Sequence, residues 1–136
     1  MKLHRRGAAL AALLIVSGIS MTGCKGGGAA GGGSGTKVTA ADRTEAHQIF
    51  TTRCAACHGQ FGRGDGPGAA GLNPKPRNYA DAAWQKATTD EEIEKAIVYG
   101  GAAVGKSPQM VANPDLQAKP GVVSALREIV RTFGQD

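Results

Sequence analysis

Cys54, Cys57 and His58 stand in the run Cys54-Ala55-Ala56-Cys57-His58, a C-x-x-C-H spacing. Two thiols three residues apart can each add across one vinyl group of a single porphyrin, and the imidazole that follows then lies over the iron. A haem held in this way does not dissociate, and its metal already has one strong axial ligand. The chemistry this predicts is the movement of single electrons. The same thiols could in principle serve zinc or thiol–disulfide exchange. Structural zinc wants four ligands, usually as two separated pairs, and the chain has only three cysteines. A redox-active Cys-x-x-Cys expects a βαβ context, and no strand pattern accompanies the motif.

A second axial ligand follows by elimination. Outside the first two dozen residues the soft or imidazole donors are His47, His58 and Met110. Met110 lies in the polar stretch Gly105-Lys106-Ser107-Pro108-Gln109-Met110, away from any apolar helical face. His47 precedes the motif on the same helix, and the motif's own backbone limits its access to the opposite haem face. Met110 is therefore the expected ligand.

Three helices must position these groups. The first is expected over roughly residues 40–53, where Ala46, Ile49 and Phe50 form a stripe that continues to Cys54. Thr39 or Asp42 is suited to cap its start. The second is expected over about 90–99. Thr89 and Glu92 make the S/T-x-x-E capping-box pattern, and Gly100-Gly101 stops the helix. The third is expected over about 120–133, with Pro120 in the first turn and Val122, Leu126, Ile129, Val130 and Phe133 on its apolar face. Residues 59–83 are rich in Gly and Pro and read as one long loop, which a haem face could organise. So few large apolar side chains would make a marginal core without a porphyrin at the centre.

The N-terminal segment reads as an export signal. Lys2, Arg5 and Arg6 precede the apolar stretch Ala8 to Val16, which is too short for the ~20 residues of a spanning helix. Met21-Thr22-Gly23-Cys24 resembles the lipobox of bacterial lipoproteins. That resemblance implies a signal peptide over 1–23, a lipid on Cys24 and attachment to the periplasmic side of a bacterial membrane. Lys25 favours the outer membrane. Residues 24–35 then form a Gly-rich tether, whose last 11 or so residues span roughly 16–20 Å as a flexible coil. With Cys24 given to lipid and the other two cysteines to haem, none remains for a structural disulfide.

The formal charge is +5. Without Lys2, Arg5 and Arg6, 13 basic residues face 11 acidic ones, which leaves +2. The basic residues are scattered, so nucleic-acid binding is not expected.

Across residues 40–133 the chain resembles the class I monohaem cytochrome c family. The resemblance rests on an order of features: the helix with Phe50, the run Cys54 to Gly59, a Gly/Pro loop, a helix ending in Gly100-Gly101, Met110 in a loop, and a last helix. Gly62-Arg63-Gly64-Asp65-Gly66-Pro67, Leu72-Asn73-Pro74-Lys75-Pro76-Arg77 and Trp84 look like a bacterial subgroup. Val111 departs from it, since many relatives have Pro after the ligand Met. The resemblance implies an all-α fold over residues 36–136, with the first and last helices packed together and long loops around one covalent haem c. It also implies His58 and Met110 as axial ligands. A proline carbonyl is expected to accept from the other His58 ring nitrogen, with Pro74 favoured over Pro67. Leu72 is expected to line the haem. Tyr79, Trp84 and Tyr99 are candidates for packing on the ring and donating to a propionate, and Arg77 faces either a propionate or solvent.

The function these readings imply is a membrane-tethered periplasmic carrier that passes single electrons between protein partners as a monomeric domain, not an enzyme. The alternatives are a dedicated haem subunit of a dehydrogenase or terminal reductase, and a haem sensor that releases Met110 to bind a gas.

Overall fold

The structure is a computed structural model, and it describes residues 36–135. The signal peptide over 1–23, the lipidation site Cys24 and the tether to residue 35 lie outside the described residues. Five helices appear in the order α1 (Ala40–Ile49), α2 (Ala55–His58), α3 (Ala82–Ala87), α4 (Asp90–Tyr99) and α5 (Pro120–Thr132), joined by short 3-10 turns and loops. There is no strand among the described residues, in line with the all-α expectation. Among the same residues no helix is long and apolar enough to cross a membrane.

Helix ends fall where side chains can satisfy the free backbone groups. The Thr39 hydroxyl accepts from the Asp42 amide while the Asp42 carboxylate accepts from Thr39, which closes a capping box at α1. Thr89 and Glu92 do the same at α4. Asp81 accepts from the Ala83 and Trp84 amides and starts α3, a helix that begins at the end of the stretch expected to be loop and was not among the three expected helices. Its sequence of Ala, Trp, Gln and Lys after an Asp cap gives the physical reason.

The core lies where α1 and α4 pack on α5. Ala46 and Ala125 are fully buried, and Leu126, Val122, Val130, Ile93, Ile97 and Leu116 surround them. Small residues let α1 and α5 approach closely. A side chain at Gly121 would meet the Asp42 carboxylate at 2.7 Å. Phe133, just past α5, packs on Phe50 at 5.4 Å and on Tyr79 at 6.2 Å between ring centroids. It therefore joins the last helix to the segment that carries the motif.

The first helix departs from the expected continuous run over 40–53. After Ile49 the chain makes a π-helical turn, Phe50–Cys54, in which the Ala55 amide donates to the Phe50 carbonyl five residues back. Regular α geometry resumes over Ala55–His58. The buried stripe runs through Ala46, Phe50, Ala55 and His58 rather than through Cys54, which is only half-buried.

Candidate functional site

The loop after His58 turns back over the motif on glycines. The Gly64 amide donates to the His58 carbonyl at 2.8 Å, and the Gly66 amide to the Cys57 carbonyl at 3.1 Å. Gly64 has φ +76° and passes so near the Pro76 carbonyl that a Cβ would sit 2.4 Å from its oxygen. Only glycine allows that crossing at no steric cost. The Lys75 ammonium donates to the Ala69 and Ala70 carbonyls and ties the middle of the loop to its own first turn. The loop is thus ordered by its own backbone contacts with the motif.

This crossing sets the partner of His58. Its Nδ1 lies 3.2 Å from the Arg77 carbonyl. The expected acceptor, Pro74 with Pro67 as the alternative, is corrected to Arg77. Pro74 is exposed, and the strand of loop pressed against the motif is Pro76–Arg77. The Arg77 guanidinium turns outward to Asp81 and lies 5.8 Å from the centre of the Trp84 ring.

A carbonyl can only accept, so Nδ1 carries the ring proton and Nε2 presents its lone pair. The Tyr79 hydroxyl lies 3.1 Å from Nε2 and donates to it. The two rings stack at 4.5 Å with 13° between planes. Both side chains are buried. Burial holds the His58 pKa below the ordinary imidazole value, against the opposing pull of the Arg77 carbonyl. Burial also pushes the Tyr79 phenol well above its usual range. At neutral pH the pair is therefore an uncharged imidazole and an uncharged phenol.

Both motif cysteines are free thiols and half-buried. Burial is the main reason that the Cys54 thiol is pushed up to about 11, only partly offset by Arg53. Trp84 is half-buried and packs against the core, 5.5 Å from Tyr79 between ring centroids. Cys54, Cys57, His58, Tyr79 and Trp84 thus belong to one neighbourhood. Leu72 is half-buried in the loop, with its amide on the Ala69 carbonyl. Tyr99 is 53% exposed on α4 and takes no part in the cluster. Met110 is half-buried, and its carbonyl accepts from Gly101 at 2.9 Å while its amide donates to the Ser107 carbonyl at 3.2 Å. His47 is exposed on α1.

Two contacts of this site were not read from the sequence. The Arg77 carbonyl is a backbone group and carries no residue signature. Tyr79 was marked for a propionate, yet its hydroxyl meets the imidazole; only its distance of 21 residues from His58 across a glycine-rich loop hinted at a return.

Residues 44–121 match the family described as Cytochrome c. The chain belongs to the cytochrome c family. The match covers more than half of the chain and takes in the motif, the loop, α3, α4, Met110 and the start of α5. Comparison with curated proteins finds no match. Membership brings a covalently bound haem c and haem-based electron transfer, with Cys54 and Cys57 at the C-x-x-C-H spacing beside His58. The residues fit that group on their own chemistry. Two free thiols adjoin a buried imidazole whose outer nitrogen is anchored and whose inner lone pair is free to exchange a phenol for a metal.

Proposed function

We propose that this cytochrome c is a membrane-tethered one-electron carrier on the periplasmic side of a bacterial membrane. The observation that carries the redox reading is the contact between His58 Nδ1 and the Arg77 carbonyl. The Nδ1–H of His58 is spent on that carbonyl, so the nitrogen aimed into the buried interior is the one able to bind iron. Cys54 and Cys57 hold the porphyrin through thioether bonds. His58 and Met110 would be the protein ligands of its iron. Bound haem supplies an iron that alternates between ferric and ferrous states.

The chain's part is to hold ligands and exclude water. A thioether ligand together with an imidazole favours the ferrous state relative to two imidazoles, so Met110 would raise the potential. The Arg77 carbonyl fixes the His58 ring against rotation. Tyr79, packed beside Trp84, would have to release Nε2 to a metal bound there. Leu72 adds apolar cover. Cys24 carries the lipid, and residues 24–35 let the domain move near the membrane surface to meet protein donors and acceptors.

Visible spectroscopy of the purified protein tests the ligand set. Six-coordinate, low-spin iron in both oxidation states and slow carbon monoxide binding are expected. Met110→Ala should open one axial position and lower the potential; an unchanged ferric spectrum in that variant would remove Met110 from the ligand set. Cys24→Ala should release the domain from membranes, and a variant that still pelleted with them would contradict the lipid anchor.

A further inference from the structure

The wide turn before the motif has a geometric consequence for His58. Each residue of a regular helix rotates by about 100°. Had α1 run on unbroken, Cys57 would lie within about 20° of Ala46, the fully buried centre of the α1 face, and His58 about 120° away. Ala55 would point to the opposite side, at about 180°. Burial shows the reverse. Ala55 is 5% exposed and His58 8%, while Cys57 is only half-buried and Ala56 is exposed. One extra residue in the turn accounts for all four positions, since it takes up about 100° and returns His58 to within about 20° of Ala46. The π-helical turn Phe50–Cys54 is that extra residue.

A hydroxyl that donates to a carbonyl one turn back competes with that carbonyl's amide donor and loosens i−4 pairing at that point. Two adjacent threonines do so here. The Thr51 hydroxyl lies 3.0 Å from both the His47 and Gln48 carbonyls, and the Thr52 hydroxyl donates to the Gln48 carbonyl at 2.7 Å. These carbonyls stand at the mouth of the wide turn. Thr44 makes an ordinary back-bond, to Ala40 at 3.1 Å, in the regular part of α1 and serves as an internal comparison.

We propose that Thr51 and Thr52 are positioning residues: their hydroxyls hold the wide turn that keeps His58 on the buried face, in register for the iron. The proposal rests on the haem reading above. It predicts that the pair acts on axial ligation and not only on helix stability.

The test compares holoprotein of wild type, Thr44→Val, Thr52→Val, the double Thr51→Val/Thr52→Val and the double Thr51→Ser/Thr52→Ser. The readouts are the high-spin fraction in the visible spectrum and the reduction potential. Thr51→Val/Thr52→Val should raise the high-spin fraction about fivefold, the equivalent of one lost hydrogen bond, and shift the potential. Thr44→Val should leave both unchanged, and the double serine variant should restore both. If the double valine variant yields no holoprotein, Thr52→Val decides on the same readouts. The proposal is overturned if the valine variants match wild type, if Thr44→Val produces the same change, or if serine fails to restore it. A wild-type protein with no haem spectrum would instead remove the reading beneath it.

Discussion

The Tyr79 hydroxyl donates to Nε2 of His58 at 3.1 Å, while the opposite nitrogen of the same ring is held by the Arg77 carbonyl. The imidazole is therefore held at Nδ1 by a backbone carbonyl and at Nε2 by the phenol stacked on its face. The tautomer with its proton on Nδ1 is the one a metal at Nε2 requires, so the proposed ligation would need no ring flip and no proton transfer from Nδ1.

Tyr79→Phe separates the two states. In the haem-free chain the substitution removes a buried hydrogen bond and leaves Nε2 unpaired, at a cost of about 1 kcal/mol. On the proposed ligation the iron would use that lone pair in the holoprotein, so the cost should be smaller. Urea unfolding of both forms checks this, and equal losses would contradict it.

The Cys54 thiol, at about 11 against 9.0 for an unperturbed cysteine, holds roughly a hundredfold less thiolate near pH 8. The thiolate is the reactive form, so Cys54 of the folded haem-free chain should react with a thiol reagent far more slowly than in denaturant. Its rate should keep rising with pH beyond 9. Equal rates in the folded and denatured chain would contradict the buried placement.

Gln85 ties the loop over the motif to the last helix. Its amide nitrogen donates to the Tyr79 carbonyl at 2.8 Å and to the Val130 carbonyl at 2.9 Å, and its oxygen accepts from Arg131 at 2.8 Å. Gln85→Leu keeps the bulk and strands these groups, with an expected loss of about 2 kcal/mol. Gln85→Glu puts acceptors opposite two carbonyls and should be worse, except where acid protonates it. Denaturant midpoints at two pH values measure the difference.

Gly62 adopts φ +66°, and a Cβ there would lie 2.6 Å from the Phe133 ring. Gly62→Ala is expected to destabilise by more than ~1 kcal/mol through backbone strain and displacement of Phe133. Gly71 has open space around it and no positive φ. Gly71→Ala should be neutral or slightly stabilising, because it restricts the unfolded chain. Thermal unfolding of the two variants gives the comparison.

The parts of this molecule readable from sequence are those set by local chemistry. The Thr89–Glu92 capping box and Gly100 fix α4 at Asp90–Tyr99, and Pro120 with the apolar stripe fixes α5 to within a residue. The cysteine spacing and His58 announce the site outright. What escaped depends on tertiary geometry. The wide turn at Phe50–Cys54 has no composition that distinguishes Thr51-Thr52 from ordinary helical threonines; its trace is the shift of burial from Cys54 to Ala55. The Arg77 carbonyl was missed because any residue supplies one, and the glycine crossing at Gly64 decides which. The helix α3 was hidden by the Gly/Pro-rich stretch before it, although Asp81 marked its start.

The most direct test is the intact mass of the mature protein made where haem can be attached, with Cys54→Ser and Cys57→Ser alongside. One haem added covalently to wild type and lost from the double variant is the predicted result. Wild-type protein carrying no bound tetrapyrrole, or retaining it without both thiols, would contradict the assignment of Cys54 and Cys57.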